Sequence, residues 1–177
     1  VLNAQMVDFD KQMMINKEKK AYQMKMIAPN INPNTLNYDL KYQRMDVEVD
    51  PNVRAINGSV TSHFIPNASL SSIYFDLSAP LLVSSVTFHG NNLNFEQLPT
   101  KEVRIDFPVA LNANVLDSLT INYGGSPAMP AGGFNAFDIN SASGNPNLYT
   151  LSEPYGAQDW FPTKQSMNDK IESFDFK

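Results

Sequence analysis

Tyr38-Asp39-Leu40-Lys41-Tyr42-Gln43-Arg44-Met45-Asp46-Val47-Glu48-Val49-Asp50-Pro51-Asn52 places apolar residues at every second position, the period of a strand with one face toward a core. The phase slips once. Tyr38, Leu40 and Tyr42 fall on even numbers, and after Gln43-Arg44 the apolar set resumes on odd numbers as Met45, Val47 and Val49. One extra residue is what exchanges the two faces of a strand, so the slip predicts a β-bulge. Asp50-Pro51-Asn52 predicts the turn that closes it. Further strands are expected at 56–65, 72–77, 82–89, 93–95, 102–107 and 116–123, separated by Pro, Gly and Asn. Short strands at this spacing predict a mainly β, antiparallel body of two sheets or an open barrel.

On the N-terminal side the period changes. Leu2, Met6, Phe9 and Met13 recur at spacings of four, three and four, which predicts an N-terminal helical extension over 1–27, its Met-rich face packed on the domain's own core. Asn30-Ile31-Asn32-Pro33-Asn34 breaks that pattern and reads as a linker, so the expected organisation is 1–35 as helix and linker and 36–177 as the β-domain. On the C-terminal side, 124–147 is rich in Gly and Pro and has little periodicity, which predicts a long ordered loop. The tail ends on Phe174-Asp175-Phe176-Lys177, alternating as though within a strand.

A chain of 177 residues with 42% hydrophobic and 18% charged residues can bury one substantial core. Its net charge of -5 and its single dense basic run, Lys17 to Lys20, speak against a nucleic-acid surface. No apolar stretch has the length of a membrane span and no signal peptide opens the sequence. The absence of cysteine excludes disulfides, thiolate metal sites and cysteine catalysis. Together with the wealth of Asn, Ser and Tyr, it favours a bacterial periplasmic or secreted protein over a cytoplasmic one. Asn57-Gly58-Ser59 and Asn67-Ala68-Ser69 match the short glycosylation sequon.

Catalytic chemistry is hard to find. A catalytic zinc needs three protein ligands, and the only histidines, His63 and His89, lie on different expected strands. There is no nucleophile elbow, and Gly124-Gly125-Ser126-Pro127 and Gly132-Gly133 lack the Lys and the following helix of a phosphate loop. Asp46, Glu48 and Asp50 fall on one strand face, expected to be solvated.

Tyr149-Thr150-Leu151-Ser152-Glu153-Pro154-Tyr155-Gly156-Ala157-Gln158-Asp159-Trp160-Phe161-Pro162, followed by Asn168-Asp169-Lys170, resembles the end of the N-terminal domain in the aminopeptidase N and leukotriene hydrolase family of zinc metallopeptidases. Tyr38-Asp39-Leu40, Val49-Asp50-Pro51, Phe75-Asp76-Leu77 and Tyr123-x-Gly125-x-Pro127 extend the resemblance over roughly 36–177. Thr163 departs from it, standing where many relatives carry Cys, and 164–167 lacks the common acidic pattern. The resemblance implies a saddle-shaped β-domain that closes one side of a catalytic cleft. Zinc and its ligands are then expected in a separate catalytic domain, absent from this chain, which stops about where that domain would begin. It also implies that Glu153 holds the free amino group of a peptide substrate, because a carboxylate accepts charge-assisted hydrogen bonds from an ammonium. Expected partners are the peptide N-terminus and the parent's own catalytic domain. Gln158 and Asp159 match no role, and Trp160, Phe161 and Pro162 are expected to anchor the loop. The competing reading is an autonomous β-sandwich binding module for carbohydrate or a partner protein, using aromatics such as Tyr155 and Trp160.

Overall fold

The computed structural model describes residues 12, 14–16, 19, 32–129, 135–140, 144–152, 155–166 and 168–177. Of the expected N-terminal helix, the described residues Gln12, 14–16 and Lys19 are helical, while its apolar positions Leu2, Met6, Phe9 and Met13 lie outside the described set.

The long hairpin of β1 (Tyr38–Asp50) and β2 (Val53–Pro66) forms the centre of the fold. Its turn is held by Asp50, whose Oδ1 accepts from the backbone and side-chain nitrogens of Asn52, each at 2.8 Å. Gly58 lies opposite Val47. A Cβ there would come within 2.2 Å of the Asp46 carbonyl oxygen, so only glycine permits this approach. Strand β3 (Leu70–Asp76) follows, then β4 (Leu82–Phe88). His89 and Gly90, both at positive φ, make a two-residue turn into β5 (Asn91–Asn92). Such turns match the right-handed twist of paired strands. His89 is therefore a turn residue just past the strand expected to contain it.

Next come β6 (Asn94–Leu98), β7 (Glu102–Leu111) and β8 (Asp117–Gly125). The last three strands are β9 (Phe137–Asn140), β10 (Asn147–Thr150) and β11 (Ser173–Phe176). One sheet has six strands in the order β11-β1-β2-β8-β4-β5, a second has three in the order β3-β7-β6, and β9 and β10 form a ribbon. Among the described residues, all strand pairings are antiparallel except β1 with β11.

The two larger sheets bury one core between them. Leu40, Met45, Ile56, Val60, Phe64 and Ile121 come from the first, and Ile73, Phe75, Val103 and Ile105 from the second, all 0% exposed. Rings cross the gap: Tyr38 lies 5.7 Å from Phe75, and Phe107 lies 5.2 Å from Phe88 and 6.4 Å from Phe64. The Tyr38 hydroxyl donates to the Tyr74 carbonyl oxygen at 2.8 Å, stitching sheet to sheet.

Two expectations need correction. The bulge exists, but the extra residue is Lys41, because Leu40 pairs with Phe64 and Tyr42 with His63. Tyr42 therefore points outward and Gln43 inward, fully buried. The segment 124–147 is not all loop: its β9 residues pair in register with β10, Leu148 opposite Ile139.

Candidate functional site

The segment after β10 is the part of the chain that sequence reading marks as functional, and its conformation is imposed by buried polar anchors on both sheets. Gln43 is the first anchor. Its Nε2 donates to Ser62 Oγ at 2.9 Å and to the Pro162 carbonyl oxygen at 3.2 Å, and its Oε1 accepts from Thr163 Oγ1 at 3.0 Å. Asp76, at the end of β3, is the second. Its backbone exchanges two hydrogen bonds with Thr163, and its Oδ2 accepts from the Gln165 amide at 2.9 Å. Burial pushes the Asp76 carboxyl up, outweighing the bonds from Asn32 and Gln165 that favour its ionised form.

Lys164 is the third anchor. Its side chain is 3% exposed, and its ammonium bonds to the Tyr38 carbonyl oxygen and the Asp169 carboxylate. The same ammonium lies 4.5 Å from the centre of the Tyr38 ring, and Asp169 also accepts from the Leu40 amide at 3.2 Å. A buried cation paired this way has its charge compensated on every side. Burial, reinforced by Asp76 and Asp169, raises the Tyr38 phenol well above its ordinary value. Ser78 fixes the end of the segment's helical turn, its Oγ donating to Asp159 Oδ1 at 2.6 Å.

Glu153, with Pro154 beside it, lies outside the described residues, so its expected contact remains a matter of proposal. Its neighbours are fixed. The Leu151 amide donates to the Ala136 carbonyl oxygen at 2.8 Å, and the Gly156 amide to the Ser152 carbonyl oxygen at 2.6 Å. Trp160 Nε1 donates to Ser152 Oγ at 3.2 Å, and Gln165 Nε2 to the Tyr155 carbonyl oxygen at 2.8 Å. Trp160 and Phe161 are buried, 4.6 Å apart edge to face, with Trp160 6.5 Å from Phe137. They anchor the segment as expected. Tyr155 is half-buried.

On the opposite flank, Arg54 holds 127–128 and 137–138. Its guanidinium donates to the carbonyl oxygens of Pro127, Ala128 (3.0 Å) and Phe137 (2.9 Å), and lies 3.5 Å from Asp138. Burial alone would raise the Asp138 carboxyl, but hydrogen bonds from Asn135 and the Ile139 amide, with the charge of Arg54, hold it below the ordinary range.

The described residues do not fit a zinc site. They contain no group of three His, Asp or Glu side chains able to hold a metal. The His63 ring packs edge to face on Tyr42 at 4.8 Å, and His89 Nε2 lies 2.7 Å from Asp117 Oδ1. Asp46 pairs with Arg44 at 2.7 Å, and Glu48 and Asp50 are exposed. Glu172 and Asp175 bond to Lys41 and Tyr42, tying β11 to β1. No described helix is long and apolar enough to cross a membrane. Sequence reading missed Gln43, Ser152, Lys164 and Gln165, polar residues that carry no local mark of burial.

No family model matches the chain, and no curated protein matches it by sequence. Solved structures do match. An M1 zinc metallopeptidase mutant from Deinococcus radiodurans, bound to a Tyr-Ser-Ala substrate, superimposes with a TM-score of 0.65 at 22% identity, over 78% of this chain and 32% of that one. The chain has the fold of a part of a zinc metallopeptidase. Leukotriene A4 hydrolase from Saccharomyces cerevisiae shares the metallopeptidase fold at a TM-score of 0.62 and 17% identity, over 87% of this chain and 27% of the hydrolase. The chain thus spans about a third of the length of the Deinococcus enzyme and a quarter of the yeast one. At these identities the likeness is one of fold.

Proposed function

We propose that the chain is the non-catalytic β-domain of a zinc aminopeptidase, closing one side of the active-site cleft, with Glu153 receiving the free amino group of the peptide. Zinc and the residues that polarise the scissile bond belong to the parent's catalytic domain. The observation that carries this reading is the metallopeptidase fold extending over most of the chain, combined with a segment whose later part, 162–165, is tied to both sheets through Gln43 and Asp76. An exopeptidase must tell a terminal ammonium from an internal amide, and a fixed carboxylate does so by accepting short charge-assisted hydrogen bonds.

The test is Glu153→Ala in the full-length parent. Losing a hydrogen bond to a charged group costs about 1.5 to 3 kcal/mol, so kcat/KM on free-amine peptides is expected to fall roughly 10- to 150-fold with zinc content unchanged. Glu153→Gln loses less, since an amide oxygen still accepts. A kcat/KM within about twofold of wild type would return Glu153 to the status of a surface carboxylate, and the parent's lack of any peptidase activity would favour the separate binding module.

A further inference from the structure

Asp76 ends β3 between two segments that are far apart in sequence, and each of its carboxylate oxygens serves one of them. Oδ1 accepts at 2.8 Å from Nδ2 of Asn32, the residue that caps the short turn Pro33–Thr35 ahead of β1. Oδ2 accepts from the Gln165 amide at 2.9 Å. Asp76 is 4% exposed, so water has little room to replace either donor. Its register partner on β7 is Glu102, a second buried carboxylate, which accepts from Asn34 Nδ2 at 3.0 Å and from Thr100 Oγ1 at 2.6 Å. The two asparagines are tied to each other as well, the Asn34 amide donating to Asn32 Oδ1 at 2.9 Å. The linker thus sits on two neighbouring carboxylates, and of the two it is Asp76 that also reaches 163–165.

Burial raises the Asp76 carboxyl and the charge of Glu102 adds to the rise, while the bonds from Asn32 and the Gln165 amide, with the charge of Lys164, act against it. Withdrawing Asn32 leaves a bare buried oxygen on that carboxylate. It must then turn, take up a proton or draw in water, and each of these weakens the bond to Gln165. We infer that Asp76 is a joint coupling the linker 32–35 to the segment 163–165, so that displacing the linker releases the Gln165 amide while the two sheets stay closed. The device makes the residues beyond the segment's helical turn responsive to anything that pulls on the chain ahead of Asn32. It stands apart from the role proposed for Glu153.

The experiment reads amide hydrogen exchange in the 177-residue chain. Asn32 is half-buried, and Asn32→Ser keeps a hydroxyl to cap the Asn34 amide while withdrawing the donor from Asp76. Protection at the Gln165 amide is expected to fall about tenfold. The Leu77 amide, which bonds to the Lys101 carbonyl oxygen beside the joint, and the Val60 amide in the central sheet are expected to stay within about twofold of wild type. Asn34→Ala, which frees the linker from Glu102 instead, is expected to leave Gln165 within about twofold. Asp76→Asn cuts the joint itself, because an asparagine side chain has one acceptor oxygen and serves only one of the two donors. In that background Asn32→Ser is expected to change Gln165 protection by no more than about twofold. The inference is overturned if Gln165 keeps its protection in Asn32→Ser, or if the loss persists in full in the Asp76→Asn background. Equal losses at Leu77 and Val60 overturn it too, being the mark of general destabilisation. So does a loss in Asn34→Ala as large as that in Asn32→Ser, because the linker would then act through its position and not through Asp76.

Discussion

Gln43 shows how one polar side chain can organise a distant segment. It is 0% exposed, and it serves Ser62, Pro162 and Thr163 together. Replacing it by Leu preserves approximate volume but leaves the Thr163 hydroxyl and the Pro162 carbonyl oxygen buried without these bonds, a loss of about 1 to 3 kcal/mol for each unsatisfied group. Gln43→Leu is therefore expected to destabilise the chain by about 2 to 4 kcal/mol in urea unfolding. Adding Thr163→Val is expected to recover about 1 kcal/mol, because the orphaned hydroxyl is then gone. Additive losses would mean that the two side chains are not coupled. The same residue explains the misplacement of the bulge. The alternation of apolar residues records that a slip occurs between Leu40 and Met45, but it cannot locate a slip whose core-facing residue is polar. Gln43 looks like an outward position, and Tyr42 like an inward one, until their partners 119 and 133 residues away are in view.

Long alternating elements were legible, and so were the short β6 and β11, whereas β9 and β10 were not. Strands β1, β2, β7 and β8 bury apolar residues at alternate positions over much of their length, and that period is written in the sequence. Strands β9 and β10 have four residues each, and their only described sheet partners are each other, so 124–147 reads as loop. What fixes this ribbon to the segment after it is a close approach that only glycine allows. A Cβ on Gly156 would come within 2.3 Å of the Leu151 carbonyl oxygen and 3.0 Å of Ala136 Cβ. Gly156→Ala must therefore open the contact between 151–156 and Ala136. The expected outcome is a loss of about tenfold or more in hydrogen-exchange protection at the Leu151 amide, which bonds to Ala136, with the Val60 amide in the central sheet unchanged. Unaltered protection at Leu151 would show that the segment absorbs the methyl group elsewhere.

Across the described molecule, five carboxylates fall into two classes with opposite effects on stability against pH. Asp39 is held below its ordinary range by Lys41, Asp46 by Arg44, Asp50 by the Asn52 amide, and Asp138 by Asn135, Ile139 and Arg54 against the upward push of burial. Each depressed group stabilises the fold above its unfolded value near 3.8 and loses that contribution as the pH falls through its folded value. Asp76 runs the other way. Burial raises it, Glu102 on the neighbouring strand adds to the rise, and Lys164 opposes it. Its contribution is fully present below the unfolded value and is lost as the pH rises through the folded one, so between the two values the folded chain gains stability as it takes up a proton. The sum is a chain that weakens in acid, with the onset delayed by Asp76. Urea midpoints measured between about pH 3 and 7 are expected to fall toward the acid end. In Asp76→Asn the decline is expected to begin at higher pH, because a carboxyl that binds its proton more tightly when folded has been removed. The asparagine loses an acceptor for Gln165 or Asn32 at every pH, which displaces the whole curve but cannot change its shape. Wild-type and Asp76→Asn curves that stay parallel across the range would show that the Asp76 carboxyl is not raised in the fold.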